Sequence, residues 1–313
     1  MSIRVVHDWR GLSADLRGAS VALGNFDGVH KGHERVVEAA VGEARLKGVK
    51  AGVISFEPHP RRYFQPDAEP FRVMSPGQQA RALERLGVDV LYRLPFDAVM
   101  AEMSDETFAH EVLSDGLGVV HVAAGFDVTF GKGRTGDGDL LRAYGKRFGF
   151  GVTIVERMAT LEGVKYASTE ARRAIASGRP EEVEAILGHP FAIEGEVMQG
   201  DQRGRQLGFP TANIALGDYV RPAFGVYAVR VRLPDGRIVP GVANIGNRPT
   251  VGGTEARLEV HLFDLDEDLY GQVLEVELVA FIRPEMKFAG LDQLKARIAL
   301  DAAEARKRLS SAA

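Results

Sequence analysis

At 313 residues the chain exceeds the usual size of one compact domain, so two domains are expected. A net charge of −4 supplies no basic field for nucleic acid or an anionic membrane, and 45% hydrophobic residues describe an ordinary globular protein. The absence of cysteine excludes disulfides and thiolate metal sites. No apolar stretch approaches the roughly 18 residues of a membrane span, so the chain is read as cytoplasmic.

In chain order, the first half alternates short apolar runs with helix-period segments. The runs are SVALG (20–24), AGVISF (51–56), VDVLYRL (88–94), VVHVAAG (119–125) and GVTIVE (151–156). Between the first two, Val36, Val37, Ala40, Val41 and Ala44 recur on one helical face. SPGQQARALERLG and SDETFAHEVLSD each open on a serine able to cap a helix. This alternation predicts a parallel sheet covered by helices, with ligands at the carboxyl ends of its strands. Near residue 190 the pattern changes to extended, turn-punctuated runs, among them GVYAVRVRLPDGRIVPGVANIG with its Asp-Gly hairpin signal. Helical periodicity returns at the end, with Leu291, Leu294, Ile298 and Ala302 on one stripe. An antiparallel β-barrel with a C-terminal helix is therefore expected over 186–313, after a first domain over 1–185.

The chemistry-bearing residues cluster in the loops. GNFDGVHKGH (24–33) sets His30 and His33 three apart at a strand-to-helix turn, so both face one side of the first helical turn. A helix N-terminus favours anions, and Gly24, Gly28 and Gly32 would let backbone approach a ligand. The spacing alone equally describes a solvated helix start. FEPHPRRYF (56–64) adds His59, Arg61 and Arg62 at the same sheet edge. GFDVTFGKGRTGDGD (125–139) matches GxGxxG formally, but it follows a late strand and leads into more glycine and aspartate, so a flexible loop touching substrate is expected. KYASTEARRAI (165–175) places Ser168 and Thr169 at a helix start with Arg172 one turn on, either a cap with a solvated basic turn or a phosphate clamp.

In the second half, GDQRGRQLGFPTANI (200–214) puts Thr211 and Asn213 on the same side of an extended segment, with oxygens suited to Mg²⁺. GVANIGNRPTVGG (241–253) reads as another Gly/Asn loop, lying over phosphates or another part of a ligand. In RLEVHLFDL (257–265), Glu259 and His261 alternate with Leu258, Val260 and Leu262. Glu259 thus faces away from the apolar side chains, as a solvated carboxylate or as a base for a hydroxyl nucleophile.

GNFDGVHKGH, FEPHP, GFDVTFG and the Ser168/Thr169/Arg172 cluster, in this order, resemble the nucleotidylyltransferase module of bacterial riboflavin kinase/FAD synthetases. GDxxGRxLGFPTAN, GVYA, NIGxRPT, the ExH strand, DLYG and FIRPEMKF resemble the riboflavin kinase module of the same family. The resemblance implies a Rossmann-like nucleotidylyltransferase domain that joins FMN to the AMP part of ATP, followed by a barrel that phosphorylates riboflavin. It implies an ATP- and phosphate-binding set of Gly24, Phe26, Asp27, Gly28, His30, Gly32, His33, Ser168, Thr169 and Arg172, with His30 and His33 catalytic. In the barrel it implies Gly204 and Thr211 at the ATP phosphates, Thr211 and Asn213 on Mg²⁺, and Glu259 as base. His59, Asp127 and Arg283 fall on the flavin side. The chain departs from the SSTxxR element at Ala167 and Ala171. The implied partners are riboflavin, FMN and ATP, without nucleic acid or membrane; a homo-oligomer is compatible with the same reading. Two alternatives stay open: an HxGH nucleotidylyltransferase for another small phosphate, and a flavin-binding protein in which only the kinase is active.

Overall fold

The structure is a computed structural model that describes residues 2–156, 167–199, 208–250 and 253–311. Its contacts divide the chain into two compact units, one of Met1–Ala68 and Pro76–Tyr166, the other of Glu69–Ser75 and Ala167–Ala313. By packing, the helical residues before the expected 185/186 division group with the second unit, as does the short segment 69–75.

The first unit is built on six parallel strands: β1 (Arg4–Val6), β2 (Ser20–Leu23), β3 (Ala51–Glu57), β4 (Val90–Pro95), β5 (His121–Gly125) and β6 (Gly151–Val155). β2 is buried at every position and β3 at its first five, as expected of strands covered on both faces. The spatial order is β1-β4-β3-β2-β5-β6. From β2 the chain steps one way through β3 and β4, then crosses to the other side of β2 for β5. Strand order therefore reverses between β2 and β5, and the loops leaving their carboxyl ends flank the crevice where open α/β sheets bind ligands.

Helix α1 (Lys31–Lys47) connects β2 to β3, buries Val36, Val37, Ala40, Val41 and Ala44, and ends at Gly48 with φ of 65°. Burial of each valine is worth roughly 1.5–3 kcal/mol relative to exposure, so this stripe decides which face meets the sheet. Helices α2 (Pro60–Phe64) and α3 (Pro76–Arg85) lie between β3 and β4, and α4 (Ala98–Glu102) and α5 (Asp105–Thr107) follow β4. Ser104 caps α5 by accepting the Thr107 N–H at 3.0 Å, and the helix continues with π-helical hydrogen bonding over Phe108–Gly116. α6 (Gly138–Phe148) leads into β6.

The second unit opens on α7 (Ser168–Ala176) and α8 (Pro180–Leu187). Six antiparallel strands follow: β7 (Ala192–Glu196), β8 (Ala212–Ala215), β9 (Gly225–Arg232), β10 (Ile238–Thr250), β11 (Gly253–Leu262) and β12 (Val273–Pro284). Their order is β7-β12-β9-β10-β11-β8, and a bridge between Met198 and Asn213 links the end of β7 to β8, so the sheet nearly closes into a barrel. Ile193, Ile214, Val229, Val231, Leu258, Val260 and Val276 are buried, as the inward residues of each alternation. The Asp-Gly turn joins β9 to β10 as expected, with Leu233 N–H donating to Arg237 O at 2.9 Å.

One expectation changes. Residues 241–250 lie within β10 and not in a loop, paired with β9 on one side and β11 on the other. The glycines there serve close approach: a Cβ on Gly241 would meet the His261 carbonyl oxygen at 2.6 Å. The C-terminal helix (Leu291–Ser311) packs along the expected stripe, with Leu294, Ile298 and Ala302 partly buried and Ala302 against the barrel, and the same face continues to the helix end. Leu291 is 68% exposed, whereas Asp301, Ala305 and Leu309 are buried, the last two against Val226, Ala228, Val242 and Ala280.

Candidate functional sites

The loop from β2 into α1 is strained and buried. Phe26, Gly28 and Val29 have φ of 51°, 87° and 37°, yet Phe26 and Val29 are both almost fully buried. Positive φ at a β-branched residue costs of order 1–3 kcal/mol and persists only where the surroundings enforce it. The space beside Gly24 is filled by the Phe26 ring, 3.3 Å from where a Cβ would stand. Asp27 is buried, and Gly32 is the second residue of α1.

The turn delivers His30 as the N-cap of α1. Its Nδ1 accepts the His33 N–H at 3.1 Å, which makes Nε2 the protonated nitrogen of the neutral ring. The two imidazoles stack with centroids 3.6 Å apart and planes 17° from parallel, and Phe26 meets the His33 ring edge-on at 5.1 Å. The His33 amide is thus taken up by the cap, at a helix end whose field favours anions. The arrangement presents donors at a positive helix end beside the strand-order switch.

His59 repeats the device at α2, its Nδ1 accepting the Arg61 N–H at 3.0 Å, while Arg62 donates to Pro66 O and Ala68 O. Sequence reading missed the aromatic face beside it. Phe64 is 64% exposed and packs with Tyr63 and Phe96 at centroid distances of 5.2 and 5.7 Å. The aromatic pair ending PRRYF was the available signal. Asp127 is exposed in the loop after β5.

Ser168, Thr169 and Arg172 lie on α7 in the second unit. Ala167 holds the N-cap position with extended φ/ψ of −148° and 141° and offers no side-chain cap. Arg172 Nε donates to the Phe71 carbonyl at 2.6 Å and its guanidinium lies 5.5 Å over the Phe71 ring, so it is anchored to the 69–75 segment.

On the barrel, one cross-strand row gathers the expected residues. Asn213 of β8 stands opposite Glu259 of β11, Glu259 opposite Asn244 of β10, Asn244 opposite Val226 of β9, and Val226 opposite Arg283 of β12. Directly opposed residues of antiparallel strands share a face, so Asn213, Glu259 and Asn244 project together. Asn213 is buried and its Nδ2 donates to Thr211 O at 3.3 Å. His261, one step along β11, donates Nδ1–H to Pro210 O at 2.9 Å and steadies the entry to Thr211. Arg283 is anchored within the barrel: its guanidinium binds buried Asp301 at 2.7–3.0 Å and donates to Pro284 O at 2.9 Å. Gly204 lies outside the described residues. Among the described residues no group of three or more His, Asp or Glu side chains could hold a metal, so a cation here would rely on few protein oxygens.

The FAD synthetase family model matches residues 12–170 and the riboflavin kinase family model residues 187–309. The bifunctional riboflavin kinase/FMN adenylyltransferase of Escherichia coli K12 is 42% identical over 97% of this chain and 96% of its own length. The Bacillus subtilis protein of the same description is 36% identical over 99% of this chain and 98% of its own. A crystal structure from Streptococcus pneumoniae, described as a macrolide-efflux protein, superposes with a TM-score of 0.83 at 31% identity, covering 96% of this chain and 97% of that one. No helix among the described residues is long and apolar enough to cross a membrane. From its strand-order switch to its near-closed barrel, the chain belongs to the bifunctional riboflavin kinase/FMN adenylyltransferase family.

Proposed function

We propose that the chain carries two successive ATP-dependent transfers at separate sites, built from the residues above, with the activities divided along the sequence near 185/186. The chain phosphorylates riboflavin to FMN and adenylylates FMN to FAD. The observation that carries the assignment of sites is a coincidence of place. The capped histidine pair falls within the FAD synthetase match, and the Asn213–Glu259 row falls within the riboflavin kinase match.

In the kinase reaction Glu259 accepts the proton of the ribityl 5′-hydroxyl as its oxygen attacks the γ-phosphorus of ATP, and ADP leaves. Thr211 and Asn213 offer a hydroxyl and an amide oxygen, hard ligands that fit Mg²⁺. When bound, that ion offsets phosphate charge. In the adenylyl transfer a phosphate oxygen of FMN attacks the α-phosphorus of ATP and pyrophosphate leaves. His30 and His33 donate to the phosphates, where charge grows in the transition state. Gly24, Phe26, Asp27, Gly28 and Gly32 shape the turn that aims them. Ser168, Thr169 and Arg172 contribute donors to ATP. His59 and Asp127 attend the flavin, with Tyr63, Phe64 and Phe96 as a stacking face for its ring system. Arg283 acts through its hold on Asp301, and Gly204 on the kinase-side phosphates.

ATP and flavin substrates, together with a cysteine-free composition, support a cytoplasmic location. The test is product analysis of the full chain with riboflavin and Mg-ATP. FMN must appear first and FAD after it; FMN alone would mean that the first unit is inactive.

A further inference from the structure

Asp105, at the first position of α5, is in the sequence only the residue after a capping serine in SDETFAHEVLSD, yet the loop after β5 is built around it. Its Oδ1 accepts the Thr135 hydroxyl at 2.8 Å and its Oδ2 accepts the Tyr144 hydroxyl at 2.7 Å. These two bonds, that from Tyr144 first, hold the carboxyl below the usual carboxylate range, and the same contact pushes the Tyr144 phenol up to about 12.

The main chain converges on the same point. Lys132 N–H donates to Met103 O at 2.7 Å, and Phe130 and Gly136 exchange hydrogen bonds of 3.1 and 3.0 Å across the loop. Gly131 has φ of 74°, and a Cβ there would run into the backbone of Asp105; one at Gly136 would meet Asp105 Cβ at 2.8 Å and the Phe130 ring at 2.7 Å. Phe130 itself is buried and packs against Phe108 at 5.8 Å. The stretch expected to be flexible is therefore clasped, and its glycines serve contact with Asp105. Phe126 and Asp127 stand exposed on the limb of this loop that leaves β5.

We propose that Asp105 is a positioning residue for FMN adenylylation, clasping the loop through Thr135 and Tyr144 so that Phe126 and Asp127 are held in place at the carboxyl end of β5. The proposal rests on the assignment of Asp127 to the flavin side of that site. A loop ordered before FMN arrives spares the ligand the cost of ordering it, so loss of the clasp weakens flavin binding more than turnover.

The test compares the full chain with its Asp105→Ala, Asp105→Asn, Tyr144→Phe, Thr135→Val and Asp127→Ala variants. FMN adenylylation is measured over a range of FMN and of ATP, and riboflavin phosphorylation is measured in the same preparations. Asp105→Ala is expected to raise KM for FMN about tenfold or more, with kcat and KM for ATP within about threefold and kinase activity unchanged. Asp105→Asn, which keeps one acceptor oxygen, falls between. Should Asp105→Ala fail to fold, Tyr144→Phe and Thr135→Val, each removing one bond, must still raise KM for FMN severalfold. Folded variants with KM for FMN unchanged would overturn the proposal, as would equal losses in kcat and in both KM values. An unchanged KM for FMN in Asp127→Ala overturns the site assignment and the proposal together. An effect at Asp127 without one at Asp105 overturns the proposal alone.

Discussion

Asn213 and Glu259 face each other directly across the β8–β11 pair, so the buried amide and the half-buried carboxylate share one side of the barrel wall. Neither residue is informative alone, since an alternating strand carries many such side chains. Their register brings two weak sequence signals together in one place, where the proposed deprotonation of a hydroxyl beside a phosphate would occur. Replacement of Glu259 by Gln keeps the shape and removes the proposed base. Riboflavin phosphorylation should lose about 10²–10⁴ in kcat with KM for riboflavin little changed. Steady-state assay of FMN formation checks this, and a KM effect without a kcat effect would make Glu259 a binding group.

Ala167 occupies an N-cap position and leaves α7 without the side-chain acceptor that a serine supplies. Ala167→Ser should let its hydroxyl accept the Thr169 or Glu170 N–H and stabilise the helix by about 1 kcal/mol. A urea-unfolding midpoint that stays put or falls would show that the cap geometry is not usable.

Asp301 is 3% exposed and satisfies both Arg283 and Arg297, joining β12 to the C-terminal helix. Asp301→Ala leaves the Arg283 guanidinium buried without its carboxylate, at a cost of about 3–5 kcal/mol. Equilibrium unfolding measures the loss, and a cost below about 1 kcal/mol would assign the pair to mere surface decoration.

His121 is buried within the parallel sheet. Ser20 donates to Ala40 O at 2.8 Å, so its oxygen receives the His121 Nδ1 proton at 3.3 Å, and Nε2 accepts from the Thr153 hydroxyl at 3.0 Å. Burial pushes this imidazole below its ordinary value of 6.5. Below that value the unfolded chain takes up a proton that the folded chain refuses. Stability therefore falls as pH drops from 6.5 toward the depressed value, and levels off beneath it. Denaturant midpoints between pH 5 and 7 (a range set by the ordinary histidine value of about 6.5) should slope less in His121→Gln than in the wild type. Equal slopes would remove His121 as the cause.

Much of the parallel sheet is legible because each of its covered strands is a short apolar run bounded by turn residues. β1 escapes this reading, since three residues at a sheet edge carry too little pattern. The histidine pair is legible as a strand-to-helix turn, but its cap bond and stacking depend on the positive φ of Phe26 and Val29, conformations that no residue preference announces. The clasp on the loop after β5 is hidden for another reason. Asp105 and Thr135 are thirty residues apart, and only the β4-to-β5 crossover brings them together. Residues 241–250 look like a loop because glycine and asparagine favour turns, whereas neighbours on both sides hold them as a strand.

The central claim is that one chain holds two separate sites, adenylyl transfer at His30/His33 and phosphoryl transfer at Asn213/Glu259. The most direct measurement resolves FMN from FAD in reactions of full-length His33→Ala and Glu259→Gln protein. His33→Ala, given riboflavin and Mg-ATP, should accumulate FMN at the wild-type rate while FAD formation falls by about 10²–10³. Glu259→Gln should make FAD normally from supplied FMN and almost no FMN from riboflavin. Loss of both activities in either folded variant, or undiminished FAD formation in His33→Ala, would contradict the account.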